Sequence, residues 1–154
     1  MNIELIKLKI EDCDKIHKMQ QIGFAALLEK YQDYDTSPGA ESFERIKQRF
    51  MYNTIDHYFI RLGDEDIGYI RIRYLEDNAY RLSQMFILPE FQNRGYAQQA
   101  IAKAESFYPQ AQKWILDTIK QEPKLCHLYE KMGYKRTGTE NNIKPGMDLV
   151  DYEK

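Results

Sequence analysis

Six residues, Gln92-Asn93-Arg94-Gly95-Tyr96-Ala97, stand between an apolar run, Met85-Phe86-Ile87-Leu88-Pro89, and an amphipathic stretch that begins at Tyr96. The order reads as a strand, a tight loop and a helix N-terminus. The first turn of a helix carries backbone N–H groups with no intrahelical partner, at the positive end of the helix dipole, so such a loop favours a bound anion and reads as a phosphate cradle. Gly95 lets the backbone come close, and the small Ala97 keeps that approach open. The fold must therefore bring a strand end and a helix start to one anionic ligand.

The chain has 154 residues and 43% hydrophobic content. That is enough for one sizeable core, so residues 1–154 are read as a single domain. Lys and Arg total 22 against 24 Asp and Glu, for a formal charge of −2, and the basic residues are scattered. This argues against a nucleic-acid partner. No segment approaches the length of apolar residues that spans a bilayer, and Met1-Asn2-Ile3-Glu4-Leu5-Ile6-Lys7 lacks a signal-peptide layout, so the expectation is a soluble, cytoplasmic protein with no membrane partner. Cys13 and Cys126 lie far apart and without metal-ligand spacing to a histidine, which points to reduced thiols and no metal. His17, His57 and His127 form no i, i+4 pair and read as surface or boundary positions.

Hydrophobic periodicity sets the element order. Ile3, Leu5 and Leu8 open a strand, and Glu11-Asp12 starts a helix to about Leu28 with Cys13, Ile16, Met19, Gly23 and Leu27 on its buried face. Tyr31 to Gly39 loses the apolar period and reads as a surface connection, followed by a second helix from about Ala40 to Phe50. His57 to Leu62 and Ile67 to Tyr74 form a hairpin around Gly63-Asp64-Glu65-Asp66, with Ile70, Ile72 and Tyr74 on one face. Ala79 to Leu88 completes an antiparallel meander. After the loop, Ala97, Ala100, Ile101, Ala104 and Phe107 form a helical stripe ended by Pro109. Trp114 to Ile119 is then a buried strand, parallel to its predecessor because a helical crossover separates them. Pro123 opens a helix with the stripe Leu125, Leu128 and Met132 and a C-cap at Gly133, and Tyr134 to Thr139 and Met147 to Tyr152 close the chain around Pro145-Gly146.

This order resembles the GNAT N-acetyltransferase superfamily over nearly the whole chain. The family signature of Gln or Arg, two residues, Gly, one residue, then Gly or Ala is met by Gln92, Gly95 and Ala97. A second family element is met by Leu128-Tyr129-Glu130-Lys131-Met132-Gly133-Tyr134. The resemblance implies an α/β (α+β) fold: a mixed, mostly antiparallel twisted sheet of six to seven strands flanked by about four helices. It also implies acetyl-CoA as co-substrate, with its pyrophosphate on the amides of Asn93, Arg94, Gly95, Tyr96, Ala97 and Gln98. The pantetheine arm would lie as a pseudo-strand against Met85, Phe86 and Ile87. The spacing of a dinucleotide-binding G-x-G-x-x-G is not met.

In the family a neutral amine attacks the thioester directly within a ternary complex, so one proton must leave the amine and one must reach the thiolate. Tyr129 aligns with the tyrosine that serves as general acid, and a phenol of pKa about 10 can donate to a thiolate of pKa about 8.5–10. Asp117 lies in an otherwise apolar strand, where an unpaired carboxylate is costly, so either a partner holds it or its pKa rises toward a base's working range. It falls where certain members carry a glutamate base. Where some members hold the cofactor with an asparagine, this chain has Glu122. Cys126 has no histidine placed to activate it and reads as a packing residue.

The first two helices and their connection usually cover the acceptor in this fold. That region holds Asp33 and Asp35 with Tyr31 and Tyr34, which suits a cationic amine through steering and aromatic contact. Three readings are open: transfer to a small, cationic primary amine; transfer to a protein N-terminus or lysine; and a CoA-binding module without catalysis. The partner is thus a small-molecule amine or a peptide, and a homodimer is compatible with the sequence.

Overall fold

The computed structural model describes residues 2–154. In chain order the elements are β1 (Glu4–Lys7), α1 (Cys13–Gly23), α2 (Ala25–Tyr31), α3 (Phe43–Arg49), β2 (Ile55–Leu62), β3 (Glu65–Tyr74), β4 (Ala79–Ile87), α4 (Tyr96–Ser106), β5 (Lys113–Ile119), α5 (Pro123–Lys131), β6 (Lys135–Lys144) and β7 (Met147–Glu153). The strands form one sheet in the order β1-β2-β3-β4-β5-β7-β6. Its pairs are antiparallel except β4 with β5, the pair joined through α4. This is the mixed, mostly antiparallel sheet that the family resemblance implied.

The sheet is covered on both faces. On one, β-strand residues such as Ile70, Ile72 and Leu82 pack with Ala100, Ile101 and Ala104 of α4 and with Cys126 and Tyr129 of α5. On the other, Phe59, Tyr69 and Phe86 pack with Ile16 and Met19 of α1 and Ile46 of α3. One irregularity in β4 decides which side chains go where. Arg71 pairs with Gln84 but Ile72 with Leu82, so Ser83 is an extra residue. The bulge reverses the alternation: Tyr80 and Leu82 join the α4/α5 core, whereas beyond it Phe86 faces α1 and α3.

Several local expectations change. The first helix is interrupted at Phe24, whose φ of −107° and ψ of 6° leave the helical region. Gly23 lies flat on the Phe86 ring, where an added Cβ would come within 2.5 Å, and Phe24 then turns its own ring edge-on to Phe86. Packing against one aromatic side chain thus divides a sequence-continuous helix, and the described residues form five α-helices where about four were expected. α3 begins at Phe43 rather than near Ala40 because the Ser42 hydroxyl caps it, accepting from the Arg45 amide at 3.2 Å. In α4 the stripe ends before Phe107, which is 43% exposed, and Tyr108 enters the core instead. In α5 the buried positions are Cys126 and Tyr129, with Leu128 and Met132 only partly buried beside them.

Gly68 marks the tightest contact in the sheet: a Cβ there would sit 2.3 Å from the Phe86 carbonyl oxygen, a backbone atom that cannot rotate away. Gly68→Ala is therefore expected to cost about 2–4 kcal/mol of stability, read as a lower urea midpoint, because the β3–β4 ladder itself must shift.

Candidate functional site

β4 and β5 pair at only three positions, Ala79 with Lys113, Tyr80 with Trp114 and Arg81 with Ile115. Beyond Arg81 each strand stays with its other neighbour, β4 with β3 and β5 with β7. The facing edges of Ser83 to Ile87 and Leu116 to Ile119 are left without a ladder partner. Parallel strands joined by a helical crossover end on the same side, and the crevice at their carboxyl ends is where such sheets bind ligands. Met85, Phe86 and Ile87 lie along this free edge, with Phe86 and Ile87 buried.

The loop at the end of β4 is shaped by its own backbone. The Gln92 side-chain amide donates to the Ile87 carbonyl at 2.8 Å, fastening the loop to the strand end. Asn93 (φ 64°) and Gly95 (φ 82°) are left-handed on either side of Arg94. Left-handed residues within a turn make concave amide arrangements suited to anions. Gly95 is the N-cap of α4, no side chain caps the helix there, and its first internal bond runs from the Gln99 amide to the Gly95 carbonyl at 3.2 Å. The amides of Tyr96, Ala97 and Gln98 therefore have no intrahelical acceptor. Gln92, Asn93, Arg94 and Gly95 are exposed, and Tyr96, Ala97 and Gln98 half-buried. A strand edge with unpaired polar groups and a left-handed anion cradle at its end fit a ligand that has both an amide-bearing arm and a phosphate.

Tyr129 comes from α5 on the opposite side of the crevice. Its ring is 6% exposed and packs against Tyr134 and Tyr152. Burial, and then the nearby Asp117 charge and Cys126, push the phenol pKa well above its usual value, so it holds its proton. Among the described residues the one sealed side-chain polar atom without a partner is His57 Nε2, so the Tyr129 hydroxyl is not walled in. Asp117 differs from the costly buried carboxylate considered from sequence. It is exposed, and Arg81 holds it at 2.7 Å. The pair bridges the strands near the point where they part. Cys126 is buried, its thiol directed at the Ile119 and Lys120 carbonyls at 3.7 and 3.9 Å.

The three residues expected near the acceptor have different surroundings. Tyr31 gives its hydroxyl to Glu122. Asp33 is 6% exposed and closes its own turn, accepting from the Thr36 amide and hydroxyl. Asp35 is exposed and lines a polar cavity of about 370 Å³ together with Tyr34, Glu41 and Arg49. The carboxylate of Glu41 is already engaged by Arg49 on two nitrogens, and burial of that pair is outweighed by the hydrogen bonds that hold the acid below its usual pKa.

The profile of the Acetyltransferase (GNAT) family matches residues 22–134. The chain belongs to this family. It acts as an acetyl-CoA-dependent N-acetyltransferase, as its GNAT membership entails. No curated protein sequence matches it. Among solved structures, an acetyltransferase from Thermus thermophilus is similar, with 16% identity, a TM-score of 0.78 and coverage of 100% of this chain and 97% of the other. A spermidine N-acetyltransferase from Vibrio cholerae, in complex with CoA and spermine, is 21% identical with a TM-score of 0.78 over 99% and 95% of the two chains. RimL, a ribosomal L7/L12 alpha-N-protein acetyltransferase in complex with coenzyme A, is 14% identical with a TM-score of 0.78 over 100% and 94%. At these identities the likeness is one of fold. Among the described residues of this GNAT protein, no group of His, Cys, Asp or Glu could hold a metal ion. Among the described residues, no helix is long and apolar enough to cross a membrane.

A buried polar network, missed in sequence, lies under the α1–α3 face of this GNAT sheet. Arg71 donates to Gln84, Gln84 to Gln20, and Gln20 to Glu41 and the Pro38 carbonyl. His57 belongs to the same layer and corrects the expectation of a surface or boundary position. It is 4% exposed, stacks on Phe50 at 3.8 Å and meets the Tyr69 hydroxyl through Nδ1 at 2.6 Å. Its strand position is a polar residue among aromatics, and a buried partner on β3 makes that tolerable. Burial first, and the Arg71 guanidinium second, lower its pKa to about 4. Unfolded, the same ring titrates near 6.5. As pH falls from 6.5 toward 4 the unfolded chain takes a proton that the folded chain refuses, so stability should drop by up to about 3 kcal/mol across that window from this group. Urea unfolding at pH 7 and pH 4.5, repeated in a His57→Gln variant whose loss should be shallower, measures it.

Proposed function

We propose that the protein transfers acetyl from acetyl-CoA to the primary amine of a small cationic molecule, both being bound together. The observation that carries this reading is the crevice itself: an unpaired β4 edge, a left-handed amide cradle at its end, and a protonated phenol on the helix across from it. Asn93 to Gln98 would hold the pyrophosphate and Met85 to Ile87 the pantetheine arm. When bound, acetyl-CoA supplies an acetyl group activated as a thioester. Tyr129 keeps its proton at neutral pH and is the donor toward the departing sulfur. Asp117, with its carboxylate oriented by Arg81, accepts the amine's proton on the open side. No nucleophile of the chain is needed, in keeping with a Cys126 thiol turned toward backbone carbonyls.

The acceptor side favours a cation. Asp35 is exposed beside the polar cavity, and Asp117 and Asp151 stand opposite one another on β5 and β7, with Arg81 bonded to one of them. Like charges directly across two strands are mutually unfavourable, and a positively charged acceptor relieves them. The polyamine named with one structural neighbour agrees with this reading. Tyr31 gives its hydroxyl to Glu122, and Asp33 closes its own turn in the connection.

Tyr129→Phe keeps the ring and its packing, so it should lower kcat about 100-fold while changing the Kd for coenzyme A and the urea midpoint little. Equal losses in turnover and cofactor affinity would make Tyr129 a binding residue. Thiol release from acetyl-CoA, measured with polyamines and with short peptides bearing a free N-terminus, is expected for the polyamines. Release with peptides alone would move the acceptor to proteins, and release in neither panel would overturn both acceptor classes.

A further inference from the structure

Glu122, the N-cap residue of α5, is held by two donors from a helix about ninety residues earlier in the chain. It precedes Pro123, the first residue of α5, at the carboxyl end of β5 and across the crevice from the Asn93–Gly95 cradle. Its Oε2 accepts from Lys30 Nζ at 2.6 Å and from the Tyr31 hydroxyl at 2.5 Å, both from the last turn of α2. Lys30 Nζ also lies over the Tyr31 ring, 5.3 Å from its centre. A carboxylate beside an aromatic face is the chemistry that recognises an ammonium group. Here a primary ammonium is already in place, supplied by the chain.

We propose that Glu122 and Tyr31 form a subsite for a primary ammonium, that Lys30 fills it in the free protein, and that the remote amine of a diamine or polyamine acceptor displaces Lys30. The inference rests on the cationic-amine reading above and assigns residues to it. The two halves of the site differ in mobility: the Glu122 side chain is 19% exposed and held by Tyr31, whereas the Lys30 side chain is 56% exposed on a flexible stem. An exposed lysine gains little from such a pair, so a bound acceptor can replace it. Both of Glu122's donors use one oxygen, and Oε1 is left as an acceptor for the incoming ammonium.

Two further features fit the same ligand. Lys144, in the turn end of β6, points its Nζ at the Gln32 carbonyl at 3.4 Å, so a second ammonium of the chain is drawn to this end of α2. The spacing also suits an acceptor with two nitrogens. Glu122 and Tyr129 are about 10 Å apart along α5, which an extended diamine with about five carbons between its amines spans once an ammonium-to-carboxylate contact of about 2.8 Å is added. One amine then lies near the crevice while the other rests on Glu122.

Calorimetric titration of the whole protein with 1,5-diaminopentane and with n-butylamine, which has no second amine, tests this. Lys30→Met, which removes the resident ammonium and keeps the stem, should tighten diaminopentane binding about two- to fivefold. Glu122→Gln should weaken it about tenfold or more, Tyr31→Leu should weaken it severalfold, and butylamine should change less than about twofold in every variant. Urea unfolding confirms that each variant is folded. Weaker diaminopentane binding in Lys30→Met, equal losses for both amines in Glu122→Gln, or no diaminopentane binding even in Lys30→Met would overturn the subsite. Thiol release followed with the same amines separates the two readings: the expected binding pattern without release from any amine leaves the subsite standing and overturns small-amine acetylation.

Discussion

The structure depends on a pair of parallel strands that refuse to stay paired. β4 and β5 share three residue positions and then part, and the candidate site is arranged around that gap. A parallel pair cannot be joined by a tight turn and needs a crossover, which places the start of α4 at the end of β4, and with it the unpaired amides of Tyr96, Ala97 and Gln98. The continuation of β5 into α5 brings Tyr129 to the other bank. Had the strands zipped to their ends, the ladder would consume the polar groups of Ser83 to Ile87, and the loop and the phenol would face a closed sheet.

The bulge at Ser83 gives the two faces of the sheet different characters. It turns Phe86 toward α1 and leaves Met85 and Ile87 with the α4/α5 core. The α1–α3 face then carries polar groups at depth, and they are tolerable because they are bonded to one another: Arg71, Gln84, Gln20, Glu41 and Arg49 form one chain of contacts. Such a network loses more when one member fails than any pair within it suggests. It fixes α1 and α3 against the sheet, and through α1 the position of α2, whose last turn reaches Glu122.

Much of the cradle was legible in the sequence. Gly95, Gln92 and the apolar stretch before them have a local meaning, since a helix start after a strand offers free amides whatever the rest of the chain does. The order of elements along the chain followed from alternation and turn residues, and Leu128 and Tyr129 lie on the expected helix. The less local the cause, the less could be read. Phe24 breaks a helix because Phe86, some sixty residues away, presses on Gly23. His57 looked like a surface histidine because nothing near it in sequence announces Phe50 and Tyr69 as its neighbours in the core. Asp117 read as an anomaly within an apolar strand because its partner Arg81 lies on another strand.

The sequence by itself determined most elements, their order, the strand–loop–helix junction at Gln92–Ala97 and the family, because each depends on a residue's neighbours along the chain or on a short spacing. The tertiary structure decided which charges were already engaged. From sequence, Asp33 and Asp35 looked available in a tyrosine-rich connection. Folded, Asp33 closes a turn, Glu41 holds Arg49, and Glu122 binds Lys30 and Tyr31. A carboxylate's chemistry depends on what lies within hydrogen-bond reach, and for groups ninety residues apart only the fold sets that distance.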